Sequence, residues 1–408
     1  MIDLKDGGTY TMEVDQGRAD GLLRAGALDR LVTVFRHHAG QCQGGMAFSV
    51  YRAGEPAIRF RAGVVGKRTD TSAREWDERT LAVFFSGTKG LVATIAAKAA
   101  GEGLLDVDAP VADYWPEFAA AGKGAVTVGQ VLSHTVGLPY VDPDPSLDAN
   151  NRPRMDDAQW TFLDSRRMAA ILAQQSPLWE PGTKVAYHAV TYGYLMSEIV
   201  LRATGRTVAQ WLQDDLARPY GLDLHLGLPT DDEDRAAPIF QAPGYSVSTY
   251  LRNDPTRRAV IDRMYASLLA PSLPMNTRAF HAAEISAGGG MGTADAMAKL
   301  YSLLVTPGRL GGGIVSADAM DNALRTRSEG LDVLNDRPLH FGLGFELADP
   351  IGTYGPVERA FGHSGAGGSL HGAWIDEGIG FSFLSNEMLT ENVDRRAKDL
   401  LQALAGRS

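Results

Sequence analysis

The sequence FFSGTKG at residues 84–90 places a serine and a lysine three positions apart. A serine hydroxyl is a weak nucleophile until a nearby base removes its proton. Residues three apart on a helix lie on one face, so Lys89 would reach Ser86 from the next turn. Burial and the positive end of a helix dipole both lower the pKa of a lysine towards neutrality. The pair is therefore either an activated nucleophile with its base or a helix cap followed by an exposed lysine.

The residues that follow Lys89 favour the first interpretation. The segment LVATIAAKAA is small and apolar, which predicts a buried helix from Ser86 to Gly101 or Gly103. A lysine in the first turn of such a helix is partly buried with it. No other serine in the chain has a lysine three positions later.

Tyr187 is a second candidate, because it follows a Pro-Gly turn and precedes a predicted helix. A tyrosine at a helix start that faces a cleft can share a proton between serine and lysine. As a phenolate it can activate water. The alternative is a core aromatic residue whose hydroxyl is bonded locally.

The segment His363-Ser364-Gly365-Ala366 is a third candidate, since it precedes a predicted pair of strands. Glycines beside a strand permit close approach of a ligand to the backbone. A backbone N–H there could complete an oxyanion hole. The alternative is a glycine-rich hairpin.

The hydrophobic periodicity predicts which elements would position these residues. Strands are expected at both ends of the chain and helices in the middle. We expect an α+β fold in which residues 1–105 and 286–408 form an antiparallel sheet flanked by helices. Residues 106–285 would form a mostly helical inserted domain, with the active site in the cleft between the two units. The predicted elements are helices at 21–39, 86–101, 127–135, 156–174, 189–205, 207–217, 293–305 (with Thr293 as N-cap) and 390–405, and strands at 45–65 (a hairpin with its turn at 53–56), 341–347, 371–376 and 379–385.

Composition limits the classes of function. The 408 residues carry a net charge of −10, which disfavours nucleic acid or an anionic membrane surface as a partner. The one cysteine, Cys42, leaves no internal disulfide. No apolar run approaches the ~18 residues of a membrane span, and the N-terminal sequence lacks a secretory signal pattern, so a cytoplasmic location is expected. No cofactor or metal is expected, and a homo-oligomer is left open.

The three candidates, in this order, resemble the motif set of the serine β-lactamase and penicillin-binding-protein superfamily, and within it the class C-like branch called family VIII carboxylesterases. The resemblance extends from about residue 25 to 390. It implies that Ser86 is acylated, that Lys89 is its base, and that Tyr187 is a second base acting on the hydrolytic water. The N–H groups of Ser86 and Ala366 would form the oxyanion hole. His363 stands at the lysine of the family's Lys-Thr-Gly, and Ser364 and Gly365 belong to the same substrate-binding segment. The similar segments are VLSHTVGLP (131–139), YHAVTYGYL (187–195), ISAGGGMGTADAMAKLY (285–301) and FGHSGAGGS (361–369).

Two departures from the lactamase pattern bear on the substrate. Ala189 stands where lactamases of this branch have an asparagine that contacts the substrate side chain, and the chain has neither Lys-Thr-Gly nor Ser-Asp-Asn. A histidine such as His363 is mostly neutral near pH 7, so it holds a substrate carboxylate less firmly than lysine does. We therefore expect hydrolysis of esters with short to medium acyl chains. Lactam or peptide-amide hydrolysis, acyl transfer and a sensor that is acylated without turnover are the alternatives.

Two rival enzyme classes fit less well. The sequence GHSGA at 362–366 is close to the Gly-x-Ser-x-Gly elbow of α/β-hydrolases, but only His371 follows, and it precedes Asp376. The nine histidines include no zinc-hydrolase spacing, and His134 is interpreted as a structural histidine at a helix end. Aromatic residues of the insertion could line an acyl pocket or could simply be packing residues: Trp160, Phe162, Trp179, Phe240, Tyr245 and Tyr250.

Overall fold

The computed structural model describes residues 2–3, 10–20, 23, 26–154, 156–247, 250–251, 253–268, 273–306 and 310–406. The strands of these residues are β1 (Ile2–Asp3), β2 (Tyr10–Val14), β3 (Gly45–Arg52), β4 (Glu55–Val65), β5 (Arg74–Glu75), β6 (Ala82–Val83), β7 (Leu224–Leu226), β8 (Phe240–Gln241), β9 (Gly290–Gly292), β10 (Ser328–Leu331), β11 (Pro338–Phe341), β12 (Glu346–Leu347), β13 (Ala360–Ser364), β14 (Leu370–Trp374), β15 (Ile379–Ser385) and β16 (Glu387–Met388).

The α-helices of the same residues are α1 (Gln16–Asp20), α2 (Ala27–Gln41), α3 (Thr88–Gly101), α4 (Val111–Tyr114), α5 (Val128–Leu132), α6 (Ser165–Gln174), α7 (Thr191–Thr204), α8 (Val208–Trp211), α9 (Arg218–Tyr220), α10 (Pro255–Tyr265), α11 (Arg278–Ala282), α12 (Ala294–Leu304), α13 (Ala317–Ala323) and α14 (Arg396–Leu404). Short 3₁₀ turns include Phe85–Gly87 and Asp157–Leu163, and a π-helical turn covers Leu212–Ala217.

One antiparallel sheet joins the two ends of the chain. Its strand order is β1-β2-β4-β3-β15-β14-β13-β12-β11-β10, with β5 paired to β4. The N-terminal hairpin meets the C-terminal strands where β3 pairs with β15, from Arg52 opposite Ile379 to Met46 opposite Ser385. The prediction of one sheet built from both ends is thus confirmed.

Helices cover both faces of this sheet. On one face α12 lies against β3, β14 and β15. On the other, α2 and α14 pack together over a core cluster that includes Phe35, Phe60 and Phe381. The alternation along β3 shows the two faces, because Phe48 belongs to that cluster while Ser49 donates to Asp295 at the start of α12. Thr293 caps α12 as predicted, with its hydroxyl accepting the Ala296 N–H.

The middle of the chain is mainly helical but contributes two short strands. β7 joins the small sheet β6-β9-β7, and β8 pairs in parallel with β16. Both strands of the segment 106–285 therefore pair with strands of the C-terminal part of the chain, β7 with β9 and β8 with β16. The domain boundaries at 105/106 and 285/286 stay a prediction. No helix in the described ranges is both long enough and apolar enough to cross a membrane.

Several predicted element bounds are corrected. The strand expected at 341–347 is broken, because Gly342 donates to the Phe345 carbonyl and the chain turns between β11 and β12. The helix expected from Ser86 begins as a 3₁₀ turn and becomes α-helical at Thr88. The helix expected at 156–174 is α-helical only over α6, and the one expected at 390–405 only over α14. The helix expected at 21–39 is α2, and residues 21–22 and 24–25 lie outside the described residues.

Candidate active site

Ser86 lies in the 3₁₀ turn that leads into α3, directly after a strained residue. Phe85 has φ = 50°, in the left-handed region, where a bulky side chain costs roughly 1–3 kcal/mol. Hydrogen bonds hold this turn, because the Thr88 hydroxyl donates to the Phe85 carbonyl (2.7 Å) and accepts the Gly290 N–H (2.9 Å). The backbone before Ser86 is therefore fixed from both its own helix and a neighbouring strand.

Lys89 is completely buried, and its three nearest polar contacts define how its amine can act. Its Nζ donates to the carbonyls of Ala189 (2.8 Å) and Ala287 (2.9 Å) and lies 3.2 Å from Ser86 Oγ. Burial lowers the pKa of Lys89 to about 7, although the charge of Glu346 opposes this shift. In the neutral amine the two N–H bonds can serve the two carbonyls, which directs the lone pair towards the Ser86 hydroxyl.

The ring of Tyr187 lies beside this amine, with its centroid 4.9 Å from Lys89 Nζ. The Tyr187 hydroxyl is buried and makes no hydrogen bond to the described part of the chain. Burial raises the pKa of Tyr187 well above its usual value, Glu346 raises it further, and the neighbouring Ser86 hydroxyl opposes the rise. The structure thus brings Ser86, Lys89 and Tyr187 together, with the phenol in its neutral form near pH 7.

The backbone around Tyr187 is held by two residues from distant segments. His134 accepts hydrogen bonds from the residues before and after Tyr187. Its carbonyl accepts the Ala186 N–H (3.1 Å), and its Nδ1 accepts the His188 N–H (3.1 Å). The N–H of Tyr187 itself donates to Asp332 Oδ2 (2.9 Å). Three consecutive backbone donors are therefore fixed by His134 and Asp332, neither of which the sequence identified as a site residue.

His134 also packs against the tyrosine, with ring centroids 4.8 Å apart. Burial lowers its pKa well below the usual value, and since Nδ1 accepts, the proton of the neutral ring lies on Nε2. Its φ of 62° is a second strained backbone position next to the candidate site. His134 follows α5, in agreement with its interpretation as a structural histidine near a helix end.

The end of β13 approaches the Ser86 turn through a glycine. A Cβ on Gly365 would lie 2.2 Å from the Phe84 carbonyl oxygen, so no other residue fits there without displacement. The Ser369 hydroxyl donates to the same carbonyl (2.8 Å). Ala366, which follows Gly365, lines the same cleft as Ser86. The oxyanion hole expected from the N–H groups of Ser86 and Ala366 remains a prediction.

His363 lies behind this cleft rather than in its lining. It is 1% exposed, its Nδ1 donates to the Ser364 carbonyl (2.8 Å), and its Nε2 has no partner in the described residues. Burial lowers the pKa of His363 to about 4, so the ring is neutral at pH 7. A contact between His363 and a substrate therefore stays a prediction, and it requires movement of the segment that covers the ring.

A buried ion pair between Glu346 and Arg337 lies next to Ser364, whose hydroxyl donates to Glu346. Glu346 lies 3.1 Å from Arg337 (Oε1 to Nη2), and its Oε2 accepts from the hydroxyls of Tyr354 and Ser364 (3.2 Å for Ser364). Burial would raise the pKa of Glu346, but Arg337 and these donors outweigh it and hold that pKa at about 2. Arg337 also contacts Glu391 (Nη1 to Oε1, 3.4 Å). Sequence spacing gave no signal for this cluster, which joins three separate segments.

The cleft beside Ser86 has a cavity volume of about 50 Å³. Of the aromatic residues considered for an acyl pocket, Tyr245 lines it, and Tyr265 and Val247 were not anticipated. The cleft is lined by Ser86, Tyr187, Tyr245, Val247, Tyr265, Asn335, Arg337, Ser364, Gly365, Ala366, Gly367 and Glu391.

The residues of the two rival classes are engaged elsewhere. His371 is buried and its Nδ1 lies 2.8 Å from Ser382 Oγ, while Asp376 pairs with the exposed Arg359. They do not form a relay to Ser364. Within the described ranges, no three His, Cys, Asp or Glu side chains are grouped as metal ligands.

Comparison with known proteins agrees with the fold and the motifs. A family model described as Beta-lactamase matches residues 29–406. The Mycobacterium tuberculosis (strain ATCC 25618 / H37Rv) protein named Esterase/beta-lactamase LipL is 31% identical over 369 residues, which cover 86% of this chain and 79% of that protein. A penicillin-binding protein homolog from Caulobacter crescentus has a TM-score of 0.80 at 31% identity, covering 93% of this chain and 97% of that one.

A family VIII carboxylesterase structure has a TM-score of 0.78 at 32% identity, covering 94% of this chain and 98% of that one. The predicted fold class, an antiparallel sheet flanked by helices with a mostly helical insertion, is confirmed by these neighbours, and so is the resemblance drawn from the motifs. The chain therefore belongs to the Beta-lactamase family, as a hydrolase of the esterase/beta-lactamase type.

Proposed function

We propose that the protein hydrolyses carboxylic esters with short to medium acyl chains through an acyl-enzyme on Ser86. The observation that supports this most directly is the Lys89 amine. It is buried, its pKa is about 7, and its Nζ lies 3.2 Å from Ser86 Oγ while two backbone carbonyls occupy its N–H groups. Such an amine suits a general base at neutral pH.

The proposed reaction has two halves. Lys89 takes the proton of Ser86, whose oxygen adds to the ester carbonyl, and the N–H groups of Ser86 and Ala366 stabilise the resulting oxyanion. Collapse breaks the bond to the leaving alkoxide, which receives the proton carried by Lys89. Water then adds to the acyl carbonyl by the reverse proton transfers, and the carboxylic acid leaves Ser86.

In this scheme Tyr187 acts as a neutral phenol. A phenolate that activates water, which the sequence analysis considered for Tyr187, is disfavoured because burial raises the pKa of Tyr187 well above its usual value. A buried phenol beside both the Ser86 hydroxyl and the Lys89 amine can instead relay a proton to the leaving oxygen or from the attacking water.

Esters are favoured over lactams because His363 and Ala189 do not supply the groups that the lactamase pattern uses at these positions to bind a substrate. His363 is neutral and buried, and Ala189 offers its carbonyl to Lys89 rather than a side-chain amide to a substrate. A family VIII carboxylesterase is among the similar structures. Lactam or amide hydrolysis by the same acyl-enzyme is the second candidate, since the similar proteins also include one named Esterase/beta-lactamase and a penicillin-binding protein homolog. A cytoplasmic location stays a prediction from the sequence.

Substitution of Ser86 tests the proposal. Ser86→Ala should abolish hydrolysis of p-nitrophenyl butyrate while the far-UV circular dichroism and thermal unfolding stay those of the wild type. Intact-mass spectrometry across esters, amides and lactams should detect an acyl adduct on the wild type and none on Ser86→Ala. Ser364→Ala is the matched control, because it removes the other serine of the cleft and should retain the adduct. Normal turnover by Ser86→Ala would refute the mechanism, and an adduct that never hydrolyses would identify a sensor.

A further inference from the structure

One cation and one partly buried carboxylate face each other in the cleft lining. Among the described lining residues, Arg337 carries the positive charge and Glu391 the negative charge. An arginine in a hydrolase cleft would ordinarily be a binding group for an anionic substrate, because its guanidinium matches a carboxylate with two parallel N–H donors.

Both terminal nitrogens of Arg337 are paired with carboxylates, whereas its Nε is buried without a partner in the described residues. Nη2 lies 3.1 Å from Glu346 Oε1, and Nη1 lies 3.4 Å from Glu391 Oε1. The two carboxylates differ in burial, since the Glu346 side chain is 5% exposed and that of Glu391 is 36% exposed. Glu346 is thus the inner partner that keeps the buried arginine compensated, and Glu391 is the outer partner on the cleft side.

The local charge follows from these contacts. Arg337, Glu346 and Glu391 together carry one net negative charge, the neighbouring Lys398 and Asp349 carry opposite formal charges that cancel, and the ring of His363 is neutral at pH 7. A second carboxylate brought in by a substrate would lie beside the Glu391 carboxylate, which already occupies the terminal nitrogen of Arg337 on the cleft side. Repulsion between the two carboxylates costs binding energy that an uncharged group does not lose.

We propose that Glu391 determines the charge of the acyl group that the cleft accepts: by occupying the cleft side of Arg337 it excludes carboxylate-bearing acyl groups and leaves the site to uncharged ones. This inference rests on the proposed function and names the substrate class of the same site. Glu391 is then a specificity-determining residue, and Arg337 is an anion-binding group that the protein's own chain keeps occupied.

The loop that carries Glu391 has anchors of its own. The Thr390 hydroxyl accepts the Ser246 N–H (3.1 Å), and the Thr390 carbonyl accepts the N–H groups of Val393 and Asp394. Replacing Glu391 by glutamine keeps the shape of the side chain and leaves these bonds in place. The variant therefore removes the charge without removing what holds the loop.

The experiment compares two esters with acyl groups of the same length. p-Nitrophenyl butyrate is uncharged, and mono-p-nitrophenyl succinate has a carboxylate in place of the terminal methyl group. In Glu391→Gln the ratio of kcat/KM for the succinate over the butyrate should rise about tenfold, chiefly through KM, because Arg337 gains a free donor for the substrate. Glu358→Gln, which removes the same charge from an exposed position outside the lining, should change the ratio less than about twofold.

The two proposals fail in different ways. Turnover of the butyrate reports on ester hydrolysis itself, so its absence in the folded wild type would refute the proposed function. If the butyrate is hydrolysed but the ratio in Glu391→Gln stays within twofold of the wild type, the role of Glu391 is refuted. Adding Arg337→Gln to Glu391→Gln should reverse the gain. If that double variant does not fold, raising the salt concentration should increase the wild-type ratio by screening the repulsion, and a ratio independent of salt would contradict the proposal.

Discussion

Burial lowers the pKa of both Lys89 and Lys123, to about 7 and about 8, but the two amines face different groups. Lys123 Nζ donates to the carbonyls of Ala120 (2.8 Å) and Gln175 (2.6 Å). Lys89 also has two carbonyl acceptors, and its third neighbour is the Ser86 hydroxyl. At the scale of single residues, a lowered pKa is therefore common to both lysines and the hydroxyl contact distinguishes the candidate base.

This difference predicts the pH dependence of the activity. Only neutral Lys89 can accept the serine proton, so kcat/KM should fall about tenfold per pH unit below a midpoint near 7 and level off above it. The measurement is kcat/KM for p-nitrophenyl butyrate from pH 5 to 9, corrected for spontaneous hydrolysis. Lys89→Ala should lower the rate by roughly 10²–10⁴-fold, the usual range for loss of a general base.

Lys123→Met is the matched control, since burial also lowers the pKa of Lys123 and its amine makes no contact with Ser86. Its pH profile should keep the midpoint near 7, whereas the residual activity of Lys89→Ala should lose it. A profile that is flat between pH 6 and 8 in the wild type, or a midpoint that moves only in Lys123→Met, would contradict the assignment of Lys89.

The residue-scale prediction from the sequence had a clear physical limit. The three-residue spacing identified Ser86 and Lys89, because that distance is set by local helix geometry. The carbonyls of Ala189 and Ala287 that direct the amine are 100 and 198 residues away along the chain, and backbone groups carry no residue-type signal. The side chains of Glu346, Arg337 and Glu391 come together only through strand pairing and loop packing, so no local sequence pattern predicts this cluster.

At the scale of elements, the segment before α7 depends on His134. That residue fixes the backbone on both sides of Tyr187 and packs on its ring, from a left-handed conformation. His134→Asn should be tolerated by the backbone, because asparagine adopts positive φ more readily than most residues. It should lower kcat about tenfold or more with a smaller change in KM, since Tyr187 would lose its orientation while the cleft keeps its lining. Steady-state kinetics with thermal unfolding measured in parallel provide the test.

Tyr192→Phe serves as the control for this effect. Tyr192 also packs on the His134 ring, with centroids 5.2 Å apart, and its hydroxyl is likewise buried without a partner in the described residues, but it does not line the cleft. Its loss should leave kcat within about twofold of the wild type. Full kcat in a folded His134→Asn variant would show that Tyr187 needs no such support.

Element predictions succeeded where the signal is local. The hairpin β3–β4 was predicted from alternating residues around Ala53 and Gly54, and the Thr293 cap from its position before an apolar helix. The strand β13 was missed because its short sequence AFGHS has little alternation, and it is a strand because β12 and β14 flank it. The break between β11 and β12 was missed because the residues Gly342–Phe345 continue the apolar pattern of the strand before them, and this pattern predicts one uninterrupted strand.

At the scale of the whole molecule, the active site depends on a sheet whose strands come from both ends of the chain. β15 lies between β3 on one side and β14 on the other, and β14 leads to β13, which carries Ser364. The helix α12 packs across β3, β14 and β15 and so stabilises the junction between the N-terminal and C-terminal strands. Loosening that contact should therefore affect stability and the site together rather than one part of the chain alone.

Gly380 in β15 is where this dependence can be measured. A Cβ at this position would lie 2.2 Å from the Ser302 backbone nitrogen and 2.3 Å from the Ala298 carbonyl oxygen, both in α12. Because backbone atoms cannot rotate aside, Gly380→Ala should push α12 off the sheet and lower the free energy of unfolding by roughly 1–3 kcal/mol.

Gly40→Ala is the matched control, since Gly40 is exposed in α2 with nothing within 4 Å of an added Cβ, and it should be neutral or stabilising. Denaturant titrations followed by both circular dichroism and esterase activity should give one coincident, weakened transition for Gly380→Ala. Equal stability of Gly380→Ala and wild type would contradict the packing, and loss of activity well before unfolding would show that the two ends of the sheet are not coupled.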